Sequence, residues 1–312
     1  MSALEVVSRA RRCILADRLP SEMSSKPPLA RRARRSSVLW KLLASILGAV
    51  LLCCALGAHA APRPVLWERW LRHDASSSRT IDHQGWAAFL TRYVRIGADG
   101  VHRVAYGVVT PADRAALKAY LEHLASVPIS TYNRTEQEAY WINLYNALTV
   151  DVVLEHYPVA SIRDIRGSPR FLEGPWREPL IEVEGESISL NDIEHHILRP
   201  IWHDPRVLYA LSCGALSCPD LRAEPYRGAS LGHQLDEAAM AYVNDARCLR
   251  IDHDRLVVSS LFRWYRADFG GSDGAVIHHL LAYAEPGLAM RLQRFEEISD
   301  DSFDWRLNDA TP

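Results

Sequence analysis

The sequence predicts a helix-rich α+β fold, a single domain around a small β-sheet, preceded by an N-terminal signal segment. Three observations lead there. Stretches with apolar residues at helical spacing outnumber the short β-rich ones, one of them is apolar nearly all round, and the first 60 residues have the build of an export signal. The chain has 312 residues, 48% of them hydrophobic and 24% charged, which suffices for a substantial core. No repeat or low-complexity linker divides it.

The signal rests on "RRARRSSVLWK", followed by fifteen apolar residues from Leu42 to Leu56 and the small-x-small pattern Ala58-His59-Ala60. Cleavage after Ala60 is expected to deliver a periplasmic or secreted protein. The alternative is an inner-membrane anchor over residues 42–61. Arg34-Arg35 raises a twin-arginine route, although two serines push the apolar residues out of register; "LLCC" lacks the small residue that precedes a lipidated cysteine. Met23 is a second candidate start, giving a signal of more ordinary length. Residues 1–60 carry ten Lys+Arg and three Asp+Glu, which leaves 26 against 35 for the rest. That acidic remainder argues against nucleic-acid binding through phosphates. The expected partner is an unknown envelope substrate or protein, with membrane contact only through the signal segment if it stays uncleaved.

Residues 61–80 read as a loosely structured lead-in and 81–309 as the globular domain. "HQGWAAFLTRYV" places Trp86, Phe89, Leu90 and Val94 at helical spacing, and "TPADRAALKAYLEHLASV" opens with Thr110 as N-cap, Pro111 in the first turn and Asp113. "TEQEAYWINLYNALTVDVVLEHYP" is a third helix, expected to be capped by Thr135 with Glu138 reaching back, and ended by Pro158. From Tyr140 to Leu154 it is apolar nearly all round, the pattern of a helix enclosed by protein. "PLIEVEGESISLNDIEHHILRP" reads as strand, turn at Gly185 and helix, with Ser189 and Asp192 forming a capping box and Pro200 ending it. "RVLYALSC" and "RLVVSS" read as buried strands, with a helix at "LGHQLDEAAMAYVNDA" between them. "SSLFRWYRADF", "GAVIHHLLAYA" and "PGLAMRLQRF" close the series as helices.

Asn143 and Asn146 share a face of the enclosed helix, where a buried amide without partners costs about 1–3 kcal/mol. They either tie the helix to neighbouring backbone or serve a catalytic dyad as orienter or oxyanion donor. Glu194, His195 and His196 sit together on one helix. Adjacent residues there diverge by about 100°, so the two histidines do not share one small site, whereas His195 with Arg199 and His196 with Asp192 stand at i, i+4. "LSCGALSCPDL" puts Cys213 and Cys218 five positions apart. If Pro219 begins a helical turn, Cys218 caps it and its thiol is acidified; the alternatives are a disulfide closing a small loop, or two small residues in the core. After cleavage only Cys248 remains besides these two, an odd count that allows one bridge and one thiol. Glycines 270, 271 and 274 lack the spacing of a phosphate loop, and no cofactor is expected.

"YWINLYNALTV", "SLNDIEHHILRP", "PRVLYALSCGALSCPDLR", "FRWYRADF" and "FDWRLND" occur in the order of the domain-of-unknown-function 547 family, which this chain resembles over roughly residues 81–309. That family includes exported bacterial proteins and multidomain plant proteins. Trp141, Asn143, Tyr145, Asn146, Ser189, Glu194, His195, Arg206, Cys213, Ser217, Cys218 and Pro219 match its recurrent pattern. The resemblance implies no established activity or cofactor. Two functions follow as expectations: a thiol-dependent hydrolase or acyl transferase on envelope peptides or esters, or a non-catalytic envelope binding or scaffold domain with a Cys213–Cys218 disulfide. In the first, Cys218 is the nucleophile, His195 the general base, Glu194 or Asn143 the orienter, and Asn146 or a backbone amide the oxyanion donor. A metal enzyme is the third option, and would need His195 or His196 to converge with His156, His203 or a cysteine.

Overall fold

A computed structural model describes residues 61–165 and 174–310, which belong to a unit running His59–Pro312. The leader and its cleavage site lie outside the described residues, as does the anchor alternative apart from Ala61. The lead-in is built into the body. Ala61 N donates to Trp264 O (2.9 Å), Val65 N to His195 O (3.0 Å) and Trp67 N to His196 O (3.0 Å). Trp70 then buries its ring edge-on against Trp141, 5.0 Å between centroids. Residues 61–72 are therefore not the loose segment that their polarity suggested; alternate tryptophans and arginines fasten them, with Arg134 donating to Trp70 O (3.1 Å) and Leu71 O (2.6 Å).

Helix α1, Gln84–Tyr93, buries Trp86, Phe89, Leu90 and Tyr93, and leads into the hairpin of β1 (Val94–Ile96) and β2 (His102–Val104). Helix α2, Pro111–Ser126, starts where Thr110 Oγ1 accepts from Asp113 N (3.1 Å), the cap that the sequence predicts. Helix α3, Arg134–His156, is the centre of the molecule, and every residue from Glu136 to Leu154 is buried. Its cap is Asn133, whose side chain accepts from Glu136 N (3.0 Å), and not Thr135. Asparagine caps at least as well as threonine, so the helix starts as soon as a cap is on offer.

Strands β3 (Ile181–Val183) and β4 (Glu186–Ile188) form a hairpin where one strand was expected. Glu184 and Gly185 both take positive φ, +48° and +83°, as the tight turn between twisted strands requires. Glu184 is held there because its carboxylate accepts from Ser130 N (3.0 Å) and from Arg69 (2.6 Å). The expected capping box follows: Asp192 N donates to Ser189 Oγ (3.1 Å) and Ser189 N to Asp192 Oδ2 (2.9 Å). The chain then winds as a π-helix over Asp192–Leu198 before continuing as α4, Arg199–Trp202.

"RVLYALSC" is not a strand. Val207–Ala210 is a helical turn, α5, started by Asp204, whose carboxylate accepts from Arg206 N (2.9 Å) and whose carbonyl accepts from Val207 N (3.2 Å). A buried apolar run of this length fits either state, and the Asp-Pro pair before it decides for a turn. Helix α6 (Leu231–Val243), strand β6 (Arg255–Ser259), and helices α7 (Ser260–Trp264), α8 (Asp273–Tyr283) and α9 (Pro286–Leu292) follow as expected, while strand β5 (Leu249–Asp252), antiparallel to β6, is an addition to the expected elements. Strand β7, Asp300–Ser302, pairs parallel with β6, giving the order β5-β6-β7. The α+β class holds, with the β content of the described residues divided among three small sheets.

The C-terminal tail then threads back. Val104 N donates to Asn308 O, Ala310 N to Val104 O (both 2.9 Å) and Leu307 N to Ala160 O (2.8 Å), while Tyr106 Oη bonds Asn308 Oδ1 at 3.0 Å.

Because Trp70 belongs to the core, Trp70→Ala is expected to cost about 3–5 kcal/mol in urea unfolding. An unchanged urea midpoint would return the lead-in to a passive role.

Candidate functional site

The two amides are fully spoken for. Asn143 Nδ2 donates to Tyr226 O (2.8 Å) and its Oδ1 accepts from Tyr226 N (3.0 Å); Asn146 Nδ2 donates to Ala210 O (2.9 Å) and its Oδ1 accepts from Ser212 N (2.8 Å). Each closes a ring with a backbone segment, so α3 grips the stretch from Ala210 to Tyr226 near both ends. Asn143 also meets His83 Nε2 at 3.3 Å, and His83 Nδ1 meets Tyr120 Oη at 2.7 Å. Burial pulls the His83 imidazole down to about 4, so it is neutral at physiological pH. His83 lies 60 positions from Asn143, and no local pattern pairs the two.

Glu194 and His195 occupy a second buried cluster. Tyr145 Oη donates to Glu194 Oε2 (3.3 Å) and Tyr265 Oη donates to Oε1. Arg199 holds Asp268 with two bonds, Nε to Oδ1 (3.0 Å) and Nη2 to Oδ2 (2.6 Å), and its Nη1 reaches both Pro62 O (2.7 Å) and His195 Nδ1 (2.6 Å). A guanidinium only donates, so Nδ1 is the acceptor and the ring proton of His195 sits on Nε2. Burial lowers the His195 pKa; Glu194 opposes and Arg199 adds to the effect. The general-base role expected of His195 requires a free ring lone pair. The lone pair that would take a proton from a nucleophile is committed to Arg199.

Cys218 lacks the free thiol that a nucleophile needs. Its sulfur is bonded to Cys213, with the two Cα atoms 5.7 Å apart, within the ordinary span of a disulfide. Pro219 begins no helical turn, so neither a free thiol nor a helix end is there to acidify it. Among the described residues Cys248 is the free cysteine; burial pushes its thiol well up.

The disulfide loop does converge with another sequence motif, the tail "FDWRLND". Leu216 N donates to Arg306 O (2.8 Å), Ser217 N to Asp304 O (3.1 Å) and Asn308 N to Gly214 O (3.0 Å), while Asp304 N returns a bond to Ser217 Oγ (2.8 Å). Beside this seam lies an open cleft of about 500 Å³, lined in part by Ser217, Arg247, Arg250, Phe303, Asp304 and Trp305. Arg247 is spent on Asp220 and Asp245 (2.9 and 2.6 Å) and on Leu216 O (2.7 Å). Arg250 is exposed, with only a long contact to Ser302 Oγ at 3.5 Å.

Glu138 on α3 is the remaining titratable oddity. It is 6% exposed, and its Oε1 has no hydrogen-bond partner among the described residues. Burial pushes its carboxyl up to about 8, with Asp204 adding to the rise and Arg206 opposing it. Among the described residues no group of three or more His, Cys, Asp or Glu is arranged to hold a metal.

Two expected outcomes follow from this geometry. Breaking the disulfide in a Cys213→Ser/Cys218→Ser variant is expected to cost about 2 kcal/mol, the small figure set by so short a loop, in chemical unfolding. For Glu138 the folded value lies above the unfolded 4.5, so the protonated form favours the fold. Its contribution is complete below about 4.5 and lost as pH rises through about 8. Glu138→Gln is therefore expected to remove part of the alkaline decline in Tm and to leave acid Tm alone; parallel Tm curves at all pH values would refute the assignment.

No curated protein and no solved structure matches the chain. One family model does, over residues 129–243. That stretch contains Asn143, Asn146, Glu194, His195 and both bridged cysteines but not "FRWYRADF" or "FDWRLND", so the match is narrower than the span of motifs. The model is described as "Protein of unknown function, DUF547", and it is to this family that the chain is similar over that stretch.

Proposed function

We propose that the chain is an exported, non-catalytic binding or scaffold domain of the bacterial cell envelope, with Cys213–Cys218 as a structural disulfide. One observation carries this reading: the groups that a thiol hydrolase needs are consumed by the fold itself. The Cys218 sulfur is in a disulfide and His195 Nδ1 takes a hydrogen bond from Arg199. Asn146 spends its amide on Ala210 and Ser212, and Glu194 accepts from two tyrosines, so neither orienter nor oxyanion donor is free. A disulfide also fits an oxidising compartment, in keeping with the export signal.

In this reading the ligand seat is the cleft along the disulfide loop and the tail, with Arg250 as its uncommitted charge. The test uses native protein isolated without reductant, the same protein after mild reduction, and the Cys218→Ser variant, each assayed on a panel of p-nitrophenyl esters and short peptides. No turnover in any form, together with alkylation of Cys213 and Cys218 only after reduction, is the expected result. Turnover that appears on reduction and vanishes in Cys218→Ser would overturn the proposal in favour of a thiol hydrolase or acyl transferase.

A further inference from the structure

We infer that residues 62–72 form a membrane-surface contact, a rigid strap that seats Val65, Leu66 and Leu71 in the interfacial region of a phospholipid bilayer. Seven large apolar side chains are conspicuously exposed among the described residues, and three of them fall within these few positions: Val65 at 58%, Leu66 at 41% and Leu71 at 43%. Their exposure is not that of a loose end. Backbone bonds to His195 O and His196 O pin Val65 and Trp67, Arg199 Nη1 holds Pro62 O, and Trp70 is sunk into the core on Trp141. The strap is thus held with its tryptophans turned partly or wholly inward and its aliphatic side chains left to solvent, at a standing cost in hydration that burial elsewhere would relieve.

Chain continuity identifies what covers them. The apolar run Leu42–Leu56 ends five residues before Ala61, a reach of about 17 Å at full extension, so any form that retains this run inserted holds the strap at the bilayer. Exposed Arg63 and Arg72 flank the aliphatic side chains and suit lipid phosphates, and half-buried Trp67 is the residue type favoured at that depth. A bilayer accepts three aliphatic side chains without requiring a complementary pocket. The inference stands apart from the binding-domain reading and does not use the cleft.

The test takes residues 61–312, the part with its own core, so that the apolar run cannot supply the binding. Sedimentation with phosphatidylcholine vesicles, with and without phosphatidylglycerol, is compared between this protein, Val65→Ser/Leu66→Ser/Leu71→Ser and Arg63→Gln/Arg72→Gln, each checked by Tm. The expected result is vesicle binding that falls about tenfold or more in the triple serine variant, and that falls in the double glutamine variant only when phosphatidylglycerol is present. If the serine variant loses Tm, the single Leu66→Ser variant and the blue shift of tryptophan emission on vesicles replace it. Absent binding, or binding that the serine changes leave untouched, overturns the inference. So does self-association that the serine changes abolish without vesicle binding, which would make the face an interface between two copies.

Discussion

On a helix with no wet face every unpartnered polar atom costs free energy, and α3 imposes that constraint on the elements around it. Two of its carboxamides, those of Asn143 and Asn146, meet it by copying the hydrogen-bond pattern of a strand neighbour, donor and acceptor together, against Tyr226 and across Ala210 and Ser212. The stretch between those points has almost no regular structure of its own, yet it is placed to within a residue. The disulfide, the seam with the tail and the cleft all inherit their position from these four bonds. Loss of either amide would leave buried backbone groups unpaired as well as the amide itself.

The same economy governs the buried residues whose side chains carry acid-base chemistry. Glu194, His195, Arg199 and Asp268 form a chain of charge and hydrogen bonds in which each group answers its neighbour, and the tyrosines close it at the Glu194 end. Removing one member of such a buried network exposes the others to an uncompensated desolvation cost of about 3–5 kcal/mol. Arg199 has a further duty, since its contact with Pro62 makes the network the anchor point of the strap.

What could be read from the sequence were the short-range features. The Thr110 cap, the Ser189–Asp192 box and the enclosure of Tyr140–Leu154 depend on residues a few positions apart or on uniform polarity, and all are present. Asn133 was passed over because two capping residues lie two positions apart and spacing alone does not rank them. The helical turn at Val207–Ala210 and the second strand of the hairpin were hidden because short apolar runs are compatible with either state. Most of the site depends on distant pairs, such as His83 with Asn143, Pro62 with Arg199 and Ser217 with Asp304, separated by 60, 137 and 87 positions. No local pattern encodes such meetings. The cysteine pair was legible as a set of alternatives, and the distance between their Cα atoms is what selects the bridge.

The threading of the tail has a consequence for how the molecule comes into being. Asn308 and Ala310 bond the backbone of Val104, so the hairpin of β1 and β2 acquires partners from a segment made long after it. Such closure joins segments some two hundred positions apart, and the loop entropy it must overcome makes it a late event. Until that segment is made the hairpin lacks these partners, and a nascent chain in such an open state is in need of chaperone protection.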